Sequence, residues 1–429
     1  MALLFLSEVM NLAIDKELFA DLVNTNDQLS SFTDADIKGD IYDWVPTMIP
    51  SVDATMLGGF PLSGRITEIF GAASSGKSTT TEEAMKIALK MGVFVVLFDV
   101  ENTTSQERLK GVGVNPDDVI LFSPHRAKDG TIDDPITVED VMNQLIELPA
   151  KLHAKDSTKR ILFIWDTLAM TQPALTASKD IGDQQVGQQA RALSEGFRKV
   201  VPNLVANGAG LVILNQARDD IGGNPFLNTV KTVGGKAVEH VDSMRLYMSH
   251  IKKITKSASD KVPIGEWSQF KFVKSKIGDN GGKLTPIAVM HDDENQLVGL
   301  DFEYNVFQEA VINKILPKGG WKSYTLQEGP NKGKEVKFQS DSGWIDYLKS
   351  EDGQEVLKEL WQALIKKEFP KCYPALFNTN VPLTEKDFPI IEGLKDYYIK
   401  IQESLPVTAQ HPNYHFWKEL NSKDKKAKK

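Results

Sequence analysis

The sequence has almost no cysteine and no long apolar stretch. Cys372 is the one cysteine among 429 residues, so an intramolecular disulfide is excluded, and we expect a protein of a reducing compartment such as the cytoplasm. The longest apolar runs, such as VFVVLF at residues 93–98, are far too short to span a bilayer. The opening stretch MALLFLSEVM has neither a basic region nor a small-residue cleavage site, so we predict no signal peptide and no membrane partner.

The chain also lacks an excess of positive charge. Its formal net charge is −8, which argues against a uniformly basic nucleic-acid-binding surface. A local basic groove is compatible with this value, because phosphate contacts need only a few aligned Lys and Arg side chains. The sequence shows no Cys/His metal-binding cluster, no Ser-His-Asp arrangement and no internal repeat. With 41% hydrophobic and 25% charged residues, it is typical of a globular protein with about two or three domains.

The most informative stretch that is present is GAASSGKS at residues 71–78, which matches the P-loop pattern G-x-x-x-x-G-K-[ST]. Gly71 and Gly76 allow the backbone to fold tightly around an anion. Lys77 brings a positive charge to the β- and γ-phosphates, and the Ser78 hydroxyl is placed to ligate Mg²⁺. An apolar run precedes the loop and a helical pattern follows it, so the anion would lie at a helix N-terminus.

A nucleotide in this loop would use both its backbone and its side chains. The residues expected to contact ATP are Gly71, Ala72, Ala73, Ser74, Ser75, Gly76, Lys77, Ser78 and Thr79. The alternative is a turn that is rich in Gly and Ser and binds no nucleotide.

Polar residues end each of the apolar runs that follow the P-loop. These runs alternate with helical patterns, as in a mostly parallel sheet that is buried on both faces. Because ligands of open α/β sheets lie at the carboxyl ends of the strands, we predict that Asp166 holds Mg²⁺ through water. Glu101 is predicted to position the attacking water, and Gln216 to contact the γ-phosphate. Each of the three could instead cap a helix or face water, and Asp99 is the closest competitor of Glu101.

These segments together resemble the RecA-type recombinases. The segments that match in order and approximate spacing, over residues 50–290, are GRITEIFGAASSGKST, FDVEN, IWDTLAMTQP, IGDQQVGQQAR, LNQAR, GGKAVEHVDSMRL and FKFVKSKIG. The later segment VGLDFEYNVFQEAVINKILPKGGW resembles the region after the core in the UvsX branch of bacteriophage recombinases.

The resemblance implies a fold, an activity and partners. The fold would be α/β, with a RecA-type P-loop NTPase core around a mostly parallel central sheet. The activity would be ATP- and Mg²⁺-dependent DNA strand exchange, by a homo-oligomeric helical filament on single-stranded DNA that pairs with homologous duplex DNA. Mediator proteins and single-strand-binding proteins would be further partners, in the host cytoplasm if the chain is viral.

The resemblance also implies DNA contacts in two loops, residues 176–187 and 218–233. Residues that match DNA-contacting positions of the family, or lie in these loops, are Val186, Arg191, Ser194, Arg198, Arg218, Ile221, Gly234 and Gly235. Arg191, Ser194 and Arg198 have three- and four-residue spacing along one helix face, so all three could follow one phosphate backbone. The alternative is that the two arginines are solvated helix charges.

Lys274 and Lys276 are two residues apart, and they therefore lie on the same face of a strand. The resemblance implies that they reach the nucleotide of the adjacent subunit and supply positive charge in trans. A surface pair of charges is the alternative.

The sequence departs from the bacterial RecA pattern beside the nucleotide base. Arg108 replaces the tyrosine that stacks on adenine, and Ser105 replaces an aspartate. A planar guanidinium can also stack on a base, so we keep both residues as nucleotide contacts. The resemblance therefore does not imply a strict preference for ATP in this protein.

The pattern divides the chain into three parts. Residues 1–50 hold an amphipathic helix and a linker, whose apolar stripe is predicted to contact either its own core or a neighbouring subunit. Residues 51–299 form the ATPase and DNA-binding core, and residues 300–429 form a small α-rich accessory domain with a basic tail. The tryptophans of this last part, which we expect in its core, are Trp321, Trp344, Trp361 and Trp417.

Two other classes of protein are alternatives, the first of which uses the same core and the second only the P-loop. A ring-forming helicase or clock-type ATPase hydrolyses ATP without strand exchange, and a P-loop kinase works without stimulation by single-stranded DNA. The Gly234-Gly235 pair and the spacing of Arg191 and Arg198 favour the recombinase.

Overall fold

The computed structural model describes residues 16–25, 44–56, 58–126, 132–177, 187–219, 230–255, 261–277, 284–292 and 297–368. The chain divides into two units, residues 1–40 and 41–429. Within the first unit the described helix is α1 (Lys16–Val23), and none of its residues is buried. Leu18, Phe19 and Leu22 of this helix are exposed, and the predicted apolar stripe before residue 16 lies outside the described residues.

The second unit contains the remaining described helices and strands. Its helices are α2 (Pro50–Thr55), α3 (Lys77–Lys90), α4 (Gln106–Val112), α5 (Val138–Lys155), α6 (Ala174–Ala177), α7 (Gln188–Ala206), α8 (Gly235–Val241), α9 (Phe302–Ile312), α10 (Asp341–Lys349) and α11 (Gln354–Glu368). Its strands are β1 (Trp44–Val45), β2 (Phe60–Pro61), β3 (Ile66–Gly71), β4 (Val93–Asp99), β5 (Val119–Phe122), β6 (His125–Arg126), β7 (Ile132–Asp134), β8 (Arg160–Asp166), β9 (Gly210–Asp219), β10 (Val230–Thr232), β11 (Met244–Thr255), β12 (Pro263–Ser275), β13 (Leu284–Asp292), β14 (Leu297–Leu300), β15 (Lys322–Thr325) and β16 (Glu335–Phe338). None of the described helices is long and apolar enough to cross a bilayer.

One large sheet organises this unit, with the strand order β14-β13-β12-β11-β3-β9-β8-β4-β5. The pairs from β11 to β5 are parallel, and the strands from β11 to β14 are joined by antiparallel pairs. The predicted α/β fold with a mostly parallel central sheet is confirmed.

Alternating side chains of the central strands fill two hydrophobic cores, one on each face of the sheet. Val95 and Leu97 belong to one core, whereas Val96 and Phe98 belong to the other. Because successive side chains of a strand point to opposite faces, a continuous apolar run such as residues 93–98 supplies both cores. Helices cover both faces, as expected for parallel strands.

Apolar residues between 301 and 368 share the first of these cores. Trp344 and Trp361 are fully buried there, as the sequence predicts, and the Trp361 indole N–H donates to the Met48 carbonyl over 3.2 Å. Trp321 differs, because 58% of it is exposed. It precedes the two-stranded β15–β16 ribbon, which can bury only one face, and the Lys337 ammonium lies 5.4 Å from its ring centre. Trp417 lies outside the described residues.

Candidate nucleotide-binding site

The predicted site residues meet at the carboxyl ends of the parallel strands. Gly71 of β3 is the register partner of Gln216 of β9, and Asp99 of β4 is the partner of Asp166 of β8. Parallel strands end at the same edge of a sheet, so residues far apart in sequence become neighbours there. The P-loop leaves the sheet at this edge and leads into α3.

The P-loop folds as a tight turn between β3 and α3. A Cβ at Gly71 would lie 2.0 Å from the Met248 carbonyl oxygen, so only glycine fits there. The Lys77 ammonium donates to the carbonyl oxygens of Gly71 at 3.3 Å and Ala72 at 2.7 Å. Burial lowers the pKa of Lys77, and the negative charges of Asp166 and Glu101 partly oppose this shift.

Asp166 and Ser78 form the part of the site that fits a magnesium ion. The Ser78 hydroxyl donates to Asp166 Oδ2 over 2.8 Å, and Asp166 is only 6% exposed. The pKa of Asp166 is raised to about 6, chiefly by burial and also by the neighbouring carboxylates of Glu101 and Asp99, against the opposing effects of the Ser78 hydrogen bond and the Lys77 charge. This crowding of negative charge favours a divalent cation.

A P-loop magnesium ion takes only one or two ligands from the protein and the rest from water and phosphate. It therefore does not require a cluster of three acidic, His or Cys residues, and the described residues contain no such cluster. The oxygen atoms of Ser78 and Asp166 suit this hard cation.

Asp99 and Glu101, which the sequence leaves as competitors, have different surroundings. Asp99 is 2% exposed, and its carboxylate accepts hydrogen bonds from the backbone N–H groups of Thr103 and Thr104 at 3.2 and 3.0 Å. Glu101 is half-buried and accepts a hydrogen bond from the Thr167 hydroxyl at 2.7 Å. Asp99 thus fixes the loop, while Glu101 lies beside the residue that follows Asp166.

A cavity of about 510 Å³ lies over the P-loop. Its described lining consists of Ser74, Ser75, Gly76, Lys77, Ser78, Thr79, Glu82, Thr103, Thr104, Arg108, Asp166 and Glu266. Glu82, Thr103, Thr104 and Glu266 are absent from the sequence-based set. Glu82 had a local signal, because it lies four residues after Ser78 on the same helix face. Glu266 had no local sequence signal, because it lies on β12, far from the P-loop along the chain.

Ser105 and Arg108 lie at the start of α4. The Ser105 hydroxyl accepts a hydrogen bond from the Arg108 backbone N–H, so Ser105 is the N-cap of this helix. Ser105 is not among the residues that line the cavity, whereas Arg108 is.

A second cluster of buried charges lies beside the P-loop strand. Glu68 of β3 is fully buried and pairs with Arg245 of β11, which also donates to the Thr232 hydroxyl over 2.9 Å. Burial raises the pKa of Asp242 well above its usual range, and the Glu68 charge raises it further, while Arg245 opposes both. Asn215, next to Gln216, donates to Glu68 and to the Val233 carbonyl, each over 2.8 Å. This cluster joins the strand before the P-loop to the end of the second predicted loop.

Lys274 and Lys276 both contact the end of α8. The Lys274 ammonium donates to the carbonyl oxygen of Glu239, and the Lys276 ammonium to that of His240. Burial lowers the pKa of Lys276, and the charge of Lys274 adds to the effect. Neither lysine lines the cavity of its own chain.

The predicted DNA-contacting residues are described only in part. Arg191 and Arg198 are exposed on α7, with the half-buried Ser194 between them, and Arg191 pairs with Glu195 over 3.0 Å. Gly234 has φ 87° and is the N-cap of α8, which begins at Gly235. Arg218 lies in β9, opposite Lys231 of β10. Val186 and Ile221 lie outside the described residues, as do most positions of the two loops.

Comparison with known proteins gives one consistent result. A family model described as the RecA N-terminal domain matches residues 42–293. Protein RecA of Borreliella burgdorferi (strain ZS7) is 30% identical over 300 residues, which cover 70% of this chain and 73% of that protein. Protein RecA of Borrelia turicatae is 29% identical over 336 residues, covering 78% and 83%. Protein RecA of Thermotoga sp. (strain RQ2) is 29% identical over 326 residues, covering 75% and 82%. The chain therefore belongs to the RecA family.

Proposed function

We propose that this protein is an ATP-dependent DNA recombinase, which forms a helical filament on single-stranded DNA and catalyses homologous pairing and strand exchange. The observation that carries the proposal is the arrangement of Lys77, Ser78 and Asp166 around the cavity, in a chain of the RecA family. The similar proteins bear the name Protein RecA.

The candidate catalytic residues at this edge of the sheet have distinct tasks in hydrolysis. The backbone of the P-loop and the Lys77 ammonium hold the β- and γ-phosphates, and Ser78 and Asp166 hold Mg²⁺. Bound Mg²⁺ neutralises charge that develops on the phosphate oxygens. Glu101 positions the attacking water, and Gln216, at the end of β9, contacts the γ-phosphate. Phosphoryl transfer of this kind depends on positioning and charge, with no covalent enzyme intermediate.

Hydrolysis requires a neighbouring subunit in this proposal. Among the described residues, the cations that line the cavity of a single chain are Lys77 and Arg108, and Lys274 and Lys276 lie elsewhere. These two lysines share one surface at the end of α8. They reach the nucleotide of the adjacent subunit, so ATP binds between subunits and closes the filament.

DNA binds on the side of α7 and of the two loops. Arg191, Ser194 and Arg198 follow one phosphate backbone, and the Gly234-Gly235 pair offers backbone N–H groups to a phosphate. Within the family we place the chain in the UvsX branch of bacteriophage recombinases, on the resemblance of the segment after the core. Mediator and single-strand-binding proteins would then act with it.

The proposal is tested by ATP hydrolysis with and without oligo-dT, electron microscopy with a non-hydrolysable nucleotide, and a strand-exchange assay. We expect stimulation of hydrolysis by oligo-dT, helical filaments and exchanged strands. Hydrolysis without exchange would favour the ring helicase or clock-type ATPase. A protein that stays monomeric and hydrolyses ATP equally well without DNA contradicts the proposal.

Two neighbouring residues of α7 provide a matched control for DNA binding. Arg198→Ala should weaken binding of single-stranded DNA and reduce its salt dependence by roughly 0.7 in log–log slope for one lost phosphate contact. Lys199→Ala removes an equally exposed charge at the next position, outside the predicted row. We expect Lys199→Ala to weaken binding of single-stranded DNA less than Arg198→Ala does.

A further inference from the structure

Glu266 is an acidic residue of the cavity over the P-loop that phosphate binding does not explain. It lies on β12, in the antiparallel part of the sheet, and its side chain is 13% exposed. It lines the same cavity as Lys77 and Ser78. A carboxylate repels phosphate oxygens, so Glu266 suits a different part of a nucleotide.

The register of the sheet places Glu266 beyond the end of the P-loop strand. Gly71, the last residue of β3, is paired with Met248 of β11, which is paired in turn with Phe270 of β12. Glu266 precedes Phe270 on a strand that runs in the opposite direction. It therefore lies about 13 Å past the end of β3, at a rise of about 3.3 Å per residue.

The start of α3 lies next to this projecting part of the sheet. A Cβ at Gly76 would lie 2.9 Å from the Val289 side chain, and Val289 of β13 is the register partner of Glu266. In the proposed nucleotide complex, the phosphates occupy the P-loop and the Lys77 ammonium. The nucleoside is then the part of the ligand that remains to face Glu266.

Two carboxylates of the cavity wall differ in their partners. Glu82 accepts two hydrogen bonds from the Arg108 guanidinium, at 2.6 and 2.8 Å, which neutralise its charge. Glu266 forms an ion pair with His250 over 3.7 Å, which is longer than a hydrogen bond. An ionised carboxylate has acceptor sites for several hydrogen bonds. The pair with His250 therefore leaves Glu266 able to accept hydrogen bonds from a ligand.

The ribose offers the donors that match this carboxylate best. Its 2′- and 3′-hydroxyl groups are neighbours, and two carboxylate oxygens can accept from both. An acidic residue at the end of a strand binds ribose in this way in dinucleotide-binding folds. The ribose also lies between the phosphates and the base, so it passes the cavity wall directly after the P-loop.

We propose that Glu266 recognises the ribose of the bound nucleotide by accepting hydrogen bonds from its 2′- and 3′-hydroxyl groups. The proposal rests on the proposed nucleotide function of the cavity and adds a residue that distinguishes ribonucleotides from deoxyribonucleotides. The P-loop holds the phosphates of both classes alike, so the discrimination comes from β12.

The test is calorimetric binding of ATP, 2′-dATP and 3′-dATP to the full chain in the presence of Mg²⁺. We expect the unaltered protein to bind ATP about 10-fold more tightly than either deoxynucleotide, as for the loss of one hydrogen bond to a charged group. Glu266→Ala should bind all three with equal affinity. Glu266→Gln keeps the shape and one acceptor oxygen, and it should retain a preference of about 3-fold.

Glu107→Gln is the matched control, because Glu107 is an exposed carboxylate next to Arg108 that does not line the cavity. It should keep the full preference for ATP. Equal affinity of the unaltered protein for ATP and the two deoxynucleotides, or a preference that survives in Glu266→Ala, would overturn ribose recognition.

Two further ligands separate this proposal from its neighbours. Purine riboside triphosphate lacks the amino group of adenine, and it should bind to the unaltered protein as tightly as ATP. Weaker binding of this ligand that Glu266→Ala abolishes would assign Glu266 to the base and overturn the ribose contact. Inorganic tripolyphosphate has neither sugar nor base. A protein that binds neither ATP nor tripolyphosphate lacks the nucleotide site itself, which overturns both proposals.

Discussion

Two clusters of buried charge lie near the P-loop, one on the strand that precedes it and one at the cavity over it, and they differ in how their charges are paired. In the first cluster, the guanidinium of Arg245 contacts the buried carboxyl groups of both Glu68 and Asp242. Around Asp166, the nearby cation is Lys77, whose ammonium donates to backbone carbonyls. The first cluster is enclosed, whereas the second borders the cavity.

We interpret the difference as one between a structural cluster and a proposed binding cluster. Burial of charge is common to both clusters, so burial alone does not identify a site. The pKa of Asp166 is raised to about 6, and its carboxyl group borders the cavity. A divalent cation bound there would stabilise the ionised carboxylate. In the other cluster, Arg245 already neutralises the negative charge of Glu68. We therefore expect mutations in the two clusters to affect different quantities.

The largest expected effect is on folding, in the enclosed cluster. Arg245→Ala leaves Glu68 buried without its guanidinium, and it should lower the free energy of unfolding by about 3–5 kcal/mol. Urea denaturation monitored by circular dichroism measures this. Lys151→Ala removes an exposed pair with Glu147 and should cost only about 0–1 kcal/mol. Equal losses in both variants would contradict the distinction between the clusters.

The next effect is on catalysis, in the cluster beside the cavity. Lys77→Ala should lower kcat for ATP by about 10²–10³-fold, as removal of a charge-stabilising group does elsewhere. The fold should remain. The Lys77 ammonium donates to backbone carbonyls, so its removal does not break a buried ion pair as Arg245→Ala does. Steady-state hydrolysis and circular dichroism are measured on the same preparation. Undiminished hydrolysis would exclude the cavity as the catalytic site.

The smallest effect is on the pH dependence of stability. The folded-state pKa of Asp166, about 6, exceeds its ordinary value of 3.8, so the folded protein binds this proton more tightly than the unfolded chain. Stability from this group is therefore present at low pH and is lost as the pH rises through about 6. Without Mg²⁺ or nucleotide at pH 7.5, Asp166→Asn should raise the free energy of unfolding by about 1–3 kcal/mol.

Urea denaturation between pH 4 and 8 tests this sign. The advantage of Asp166→Asn should shrink as the pH falls below about 6 and vanish near the ordinary pKa of an aspartate, about 3.9. Glu147→Gln, at an exposed carboxylate, should show no such trend. A pH-independent difference for Asp166→Asn would mean that its charge is not the cause.

Much of the fold was predictable because its signals are local. Apolar runs such as residues 93–98 contain their own evidence of a strand buried on both faces. The P-loop combines a strand, a fixed glycine and a helix start in one short segment. The position of Asp166 at a strand end was predictable as well, because a polar residue directly after an apolar run marks the end of a strand.

Other features had no such signal. Asp99 and Glu101 are both acidic residues after the same strand, and only the hydrogen bonds of Asp99 to Thr103 and Thr104 separate their roles. Glu68 and Arg245 are charged residues within the apolar strands β3 and β11, and the sequence around each one does not indicate its ion-pair partner. Their pairing became visible only when β3 and β11 proved to be neighbours.

The sequence by itself determined the P-loop, the strand ends and the α/β class, since these depend on residues that are close along the chain. The tertiary structure decided which groups share a cavity and which neutralise each other. Arg108 pairs with Glu82, and Glu266 lines the same cavity as the P-loop, across long sequence separations. Electrostatic and stacking interactions act over a few ångströms in space, and sequence distance does not predict that spacing.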